Sequence, residues 1–275
     1  MATKKAATTK KPAAAKSAAK TTRTSVKTAP AAATKNTFVG HVQDSVRSLT
    51  LWRAVIAEFI GTFLLASVVL ASRGEPIYVL FGLAGIVLLI GALSGAHVNP
   101  AVTIGAWATR RIGWLRALGY IIFQVLGAAV AYFTFTAFLA GSGVSSADAA
   151  TLGGPVVFSA VDISTLAGKE WFIFFGELLG TAILGFAIAN ATRERQDRVA
   201  AAFTAGLGIF AALIVAVSAA SYVGANAIIN PAVATALQAY HWDSFWTFGV
   251  YALAPVIGGV VGFVVYDLLY GRKAK

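Results

Sequence analysis

The sequence predicts an all-α membrane protein: a bundle of six transmembrane helices plus two re-entrant half-helices, arranged as an inverted repeat. Three observations predict it. The chain is 58% hydrophobic with only 12% charged residues and a mean hydropathy of +0.76, well outside the averages of soluble domains. Its large apolar residues gather in long segments, each near the length that crosses a hydrocarbon core about 30 Å thick. One tetrapeptide, Asn-Pro-Ala-Val, occurs at residues 99–102 and again at 230–233, each time between two such segments.

Residues 1–36 form an Ala/Lys/Thr/Pro tract with almost no large apolar side chain, which predicts a disordered basic tail. Eleven Lys/Arg against one acid in residues 1–53 account for nearly all of the net charge of +11. Such a tail suits nonspecific contact with anionic membrane lipid, the cheaper role beside a membrane, or with nucleic acid. It is not a secretory leader, because the basic stretch is too long and the apolar run behind it is a full span.

Six spans follow, at 52–72, 77–93, 114–140, 171–192, 199–221 and 245–270. Trp52, Trp114, Trp171 and Trp246 fall near their ends, as in an interfacial aromatic belt. Counting Lys/Arg on alternate sides places twenty on the side of the two termini and two, Arg73 and Lys169, on the other. By the positive-inside rule both termini are cytoplasmic, in a cell or inner membrane. The connection 141–170, with three acids, then lies outside.

Each Asn-Pro-Ala opens a helix at a defined residue, since Asn is a good N-cap and Pro is favoured at the first helical position. Helices from Pro100 to about Arg110 and from Pro231 to about Tyr240 reach about 15 Å, half the membrane. A lone copy could simply be a turn before an ordinary helix. Two copies, one in a connection on each side, predict half-helices that meet at the midplane with their positive dipole ends together. The halves repeat elsewhere: Glu58-x-x-Gly61-Thr62 in span one matches Glu177-x-x-Gly180-Thr181 in span four. Three spans per half invert the second copy.

Glu58 and Glu177 are ionisable groups within apolar spans. Their matched positions favour a structural role, accepting from backbone N–H groups of the re-entrant loops, over a proton relay in a coupled transporter. Gln124 reads as a further polar brace. With no cysteine, three scattered His, and neither a nucleophile triad nor a phosphate loop, neither an enzyme nor a metal site or cofactor is expected.

These residues together resemble the aquaporin, or major intrinsic protein, family over about residues 50–271. The likeness rests on the Glu-x-x-Gly-Thr openings, Ser94-Gly95-Ala96-His97-Val98-Asn99-Pro100-Ala101-Val102-Thr103, Gln124 with Gly127-Ala128, and the second Asn-Pro-Ala. It implies repeat halves at about 50–140 and 170–271, a pore in each protomer, a homotetramer, and passage of water and small neutral solutes. Asn99, Pro100, Ala101, Asn230, Pro231 and Ala232 would form the pore centre. His97 would sit in the loop that lines it.

One departure matters for substrate. The residue after the second Asn-Pro-Ala, nearly always Arg in the family, is Val233 here. Counting along the chain places Ala227 and Ser218 at two other constriction positions, with Val79 by ungapped spacing or Phe81 by local resemblance as the span-two member. The expectation is a constriction wider and more apolar than that of strict water channels.

Overall fold

The computed structural model describes residues 38–144, 156–194 and 197–271, so the predicted tail at 1–36 lies outside the described residues. So do Asp148, Arg195 and the basic residues after Gly271.

Six helices are long and apolar enough to cross a membrane. They are α2 (Leu49–Ser72), α3 (Pro76–Ser94), α5 (Trp114–Gly141), α6 (Glu170–Ala191), α7 (Arg198–Ser221) and α9 (Phe245–Tyr270). Two short helices, α4 (Pro100–Ala108) and α8 (Pro231–Ala236), sit in the connections after α3 and α7. A first helix, α1 (Phe38–Val46), was not expected; the Trp52 indole donates to its last carbonyl at 2.7 Å.

The half-helices start as the sequence dictates. Asn99 Oδ1 accepts from Ala101 N at 2.8 Å, and Asn230 Oδ1 from Ala232 N at 3.0 Å, each ahead of a proline. They end sooner than expected, after nine and six residues. Arg110 (φ 60°) and Gln238 (φ 54°) swing into the left-handed region. Arg111 N then reaches back to Ala106 O at 2.8 Å, and Ala239 N to Ala234 O at 3.0 Å. Both are Schellman closures made without glycine. At about 1.5 Å per residue the two helices reach only about 13 Å and 9 Å.

Packing repeats with the sequence. In the first half α2 packs against α3 and α5; in the second α6 packs against α7 and α9. Each half-helix then leans on the other half, α4 on α9 and α8 on α5, while α3 and α7 meet across the middle. Water is absent from the membrane interior, so these contacts rest on close approach rather than on a hydrophobic drive. Glycines permit it at equivalent crossings: a Cβ on Gly127 would strike the Phe59 carbonyl, and one on Gly258 the Leu178 carbonyl.

The last helix is interrupted. It takes a π turn at Gly249–Leu253, just before Pro255. A proline has no N–H to give the carbonyl one turn back. Tyr240 Oη lies 3.1 Å from that Tyr251 carbonyl and 3.0 Å from Pro231 O, which ties the interruption to the start of α8.

The crossings give a direct test. Gly258→Val forces a side chain into the Leu178 backbone and should cost about 2–3 kcal/mol, or abolish folding. Gly85→Ala, where a Cβ meets nothing within 4 Å, should leave stability equal or raised. Thermal unfolding of the detergent-purified variants decides, and equal melting points would remove the close-crossing account.

Candidate solute pathway

The two loops entering α4 and α8 meet tip to tip. Asn99 Nδ2 donates to Ile229 O, and Asn230 Nδ2 to Val98 O, both at 2.9 Å. The bonds are reciprocal between residues 130 and 132 positions apart. An amide nitrogen carries two N–H groups, so each Asn has a second donor beside the one spent on this link.

Val98 (φ 41°) and Ile229 (φ 50°), the residues just before each Asn, hold a left-handed backbone that β-branched side chains avoid. Such strain costs about 1–3 kcal/mol at each residue. The buried glutamates offset it. Glu58 accepts from His97 N at 2.9 Å and Val98 N at 2.7 Å; Glu177 accepts from Ile228 N at 2.5 Å and Ile229 N at 2.7 Å. Hydrogen bonds to a charged group contribute about 1.5–3 kcal/mol each, so two per loop outweigh the strain. The glycine of each Glu-x-x-Gly makes room for the strained side chain, since a Cβ on Gly61 would strike Val98 and one on Gly180 would crowd Ile229.

The second half is less completely braced. Gln124 Nε2 donates to Glu58 Oε2 at 2.6 Å and to Thr103 Oγ1 at 3.0 Å, and Thr103 in turn lies 3.3 Å from His97 Nδ1. Pairing Gly127 with Gly258 and Asn99 with Asn230 sets Pro255 opposite Gln124 and Ala234 opposite Thr103, and neither side chain donates. The Thr181 hydroxyl donates to Glu177 O at 2.7 Å, whereas that of Thr62 is buried with no partner.

Open space lies on both sides of the Asn pair. Toward the face carrying Arg111 and Arg198 a cavity of about 470 Å³ reaches the Ser94–His97 loop. Toward the other face a cavity of about 20 Å³ lies beside Asn230, among Val79, Leu213, Ala227 and Val233. The lining there is mostly aliphatic, and the space is small: Leu65, Val69, Ile209 and Leu213 line it together with Val233.

Helix rotation sorts the expected constriction residues. Val79 is 2% exposed and lines the small cavity, whereas Phe81 is 60% exposed on the outside of the bundle. Two residues apart on a helix means about 200°, so only one of them can face inward. Ser218 is also exposed, away from the cavity. The inward stripe of α7 runs through Ala205, Ile209, Ala212, Leu213 and Ala216, and Ser218 lies about 140° round from Leu213. Leu213 and not Ser218 lines the small cavity.

Sequence reasoning missed a second feature. Arg111, just past α4, pairs with Asp267 of α9 at 2.5 Å and lines the large cavity. Asp267 carried a usable signal, an acid within the last apolar span. Over the small cavity's loop, Val161 N donates to Asn226 Oδ1 at 2.7 Å and Ala160 N to Leu237 O at 2.9 Å, which pins the connection before α6 across the second loop.

The glutamate contacts give a prediction. Glu177→Gln keeps the shape but turns one acceptor into a donor facing a donor, and should cost about 1–3 kcal/mol of stability. An unchanged unfolding temperature would show that the loop does not need the carboxylate.

Comparison with known proteins agrees with this geometry. A family model described as major intrinsic protein matches residues 45–266. Aquaporin Z of Photorhabdus laumondii is 32% identical over 242 residues, covering 80% of this chain and 99% of that protein. Human aquaporin-1 is 31% identical over 246 residues, covering 82% and 84%. The aquaglyceroporin structure from Plasmodium falciparum shares the fold at a TM-score of 0.55 and 22% identity, covering 80% of this chain and 95% of that one. The chain therefore belongs to the major intrinsic protein family, whose members are membrane channels and not enzymes.

Proposed function

We propose that the chain is a passive channel for water and small uncharged solutes, with Asn99 and Asn230 at its centre. The observation that carries this reading is the reciprocal Asn pair lying between two cavities. A solute oxygen arriving at the pair meets the second N–H of each amide and the positive ends of α4 and α8. That arrangement orients a neutral molecule and opposes a proton or metal cation. Pro100, Ala101, Pro231 and Ala232 hold the caps in place.

Selectivity is set at the other constriction by Val79, Leu213, Ala227 and Val233. Space of about 20 Å³ fits roughly one water, and no side chain among these four donates a hydrogen bond. A solute with several hydroxyl groups must give up its hydration there with nothing in exchange, at about 1–3 kcal/mol for each unpaired group. Water and other molecules with few polar groups are therefore favoured over polyols.

The charge asymmetry supports cytoplasmic termini, a basic tail at 1–36 against anionic lipid, and a channel domain at 50–271. Exposed apolar side chains such as Ile56, Ile60, Phe81 and Leu89 supply surface for lipid or for neighbouring protomers of a homotetramer. A coupled transporter using Glu58 or Glu177 as proton carrier is the rival reading. Both carboxylates are spent on loop N–H groups, which weighs against it.

Reconstituted vesicles separate the two. Volume change after an osmotic step should be accelerated and weakly temperature dependent, and an imposed pH gradient should drive no solute uptake. Accumulation against a gradient would reject the channel. Val233→Thr adds one hydroxyl donor at nearly constant volume and should raise water permeability up to about tenfold, the worth of one hydrogen bond, with little gain for glycerol. If the folded variant conducts water no faster, these residues do not form the constriction.

A further inference from the structure

The large cavity contains a cation that the mechanism above does not use. Arg111 follows the C-terminal end of α4 and lines the passage from the basic face to the Ser94–His97 loop. Its guanidinium is held rigidly: Nη2 donates to Asp267 Oδ1 at 2.5 Å, and Nη1 to Ala189 O at 3.1 Å and Thr192 Oγ1 at 3.3 Å. It also lies over the Phe263 and Tyr266 rings, 5.0 and 5.6 Å from their centroids. Held so from several sides, it keeps one position instead of sampling the mouth.

We propose that Arg111 is a specificity-determining residue of this channel, the fixed positive charge that turns back cations at the basic face. The inference rests on the channel reading above. Two observations place the task here. The opposite constriction has Val233 and no cationic side chain among its lining residues, so nothing there repels a cation by charge. Arg111 lines the cavity whereas its counter-ion does not: Asp267 is not among the lining residues, so the pair presents its positive end to the path. Arg198 and Glu194 also line this cavity with opposite charges, and both are exposed at its rim. Their interaction with an entering ion is screened by water; that of the half-buried guanidinium is screened less.

A structural role is the competing account, since a cation at a helix C-terminus with three hydrogen bonds stabilises the fold. Charge and structure separate in proteoliposomes of the full chain. A potassium-valinomycin potential drives proton entry, read by a trapped pH dye, and neutral-solute flux is measured in the same vesicles. The ratio of proton leak to solute flux should rise about tenfold in Arg111→Met, the loss of one partly screened charge. Arg111→Lys, which keeps the charge and loses the fork, should hold the ratio near that of the parent. The double variant R111M/D267L removes both charges together, avoids an unpaired buried acid, and should leak like R111M. An unchanged ratio in R111M or the double variant overturns the proposal, and so does a lysine variant as leaky as methionine. A parent protein that passes no neutral solute would instead defeat the channel reading itself.

Discussion

The structure depends on satisfying two peptide groups where no water can do it. Val98 and Ile229 sit at the turn of each re-entrant loop, and irregular backbone at membrane depth is tolerated only where it is buried in protein or lines a water-filled cavity. Here the N–H goes to a buried glutamate and the C=O to the opposite asparagine. Either half alone would leave both of its loop carbonyl and its Asn donor without a mate. The repeat is thus needed for chemistry as well as for shape, because each loop is completed by the other.

That requirement explains the spacing of the repeated motif. In Glu-x-x-Gly the carboxylate and the gap for the strained side chain lie one turn apart on one helix face, the distance between a loop residue's N–H and its own side chain. The glycines of α5 and α9 then let these helices close behind α2 and α6. The first loop adds Gln124, Thr103 and His97, while the second gives up the equivalent donors for Pro255 and Ala234. Tyr240 and the pinned connection at 160–161 are the second half's own supports, acting on the carbonyl side and from outside the loop.

Much of this was legible in the chain. All six spans lie within three residues of their sequence-derived limits, and both half-helices begin at the expected Asn. Length and caps are local properties, and they survive folding. Linear count served for Val79 and Ala227, which line the small cavity, and failed for Ser218. Ser218 was placed by distance from Asn230, but the stripe that faces inward depends on how α7 is rotated, and rotation is set by Gly206 and its neighbours against α3. Phe81 and Val79 could not be separated for the same reason. The half-helix ends were missed because left-handed Arg110 and Gln238 carry no glycine signal. Arg111 and Asp267 are 156 residues apart, and only the packing of α4 on α9 brings them together.

The two ends of the pathway differ in a way the pseudo-symmetry alone would not produce. One end is roomy and the more polar of the two, with His97 and Arg111 on its wall; the other is tight and aliphatic. Leu65, Val69, Ile209 and Leu213 line the small space beside Val233. On the proposed channel reading, an aliphatic neck of this size would discriminate by desolvation: its barrier would grow with the number of hydrogen bonds a solute must abandon, and fall at the Asn pair where donors reappear. The fixed side-chain charge nearest this path stands at the opposite mouth, where Arg111 lines the wall.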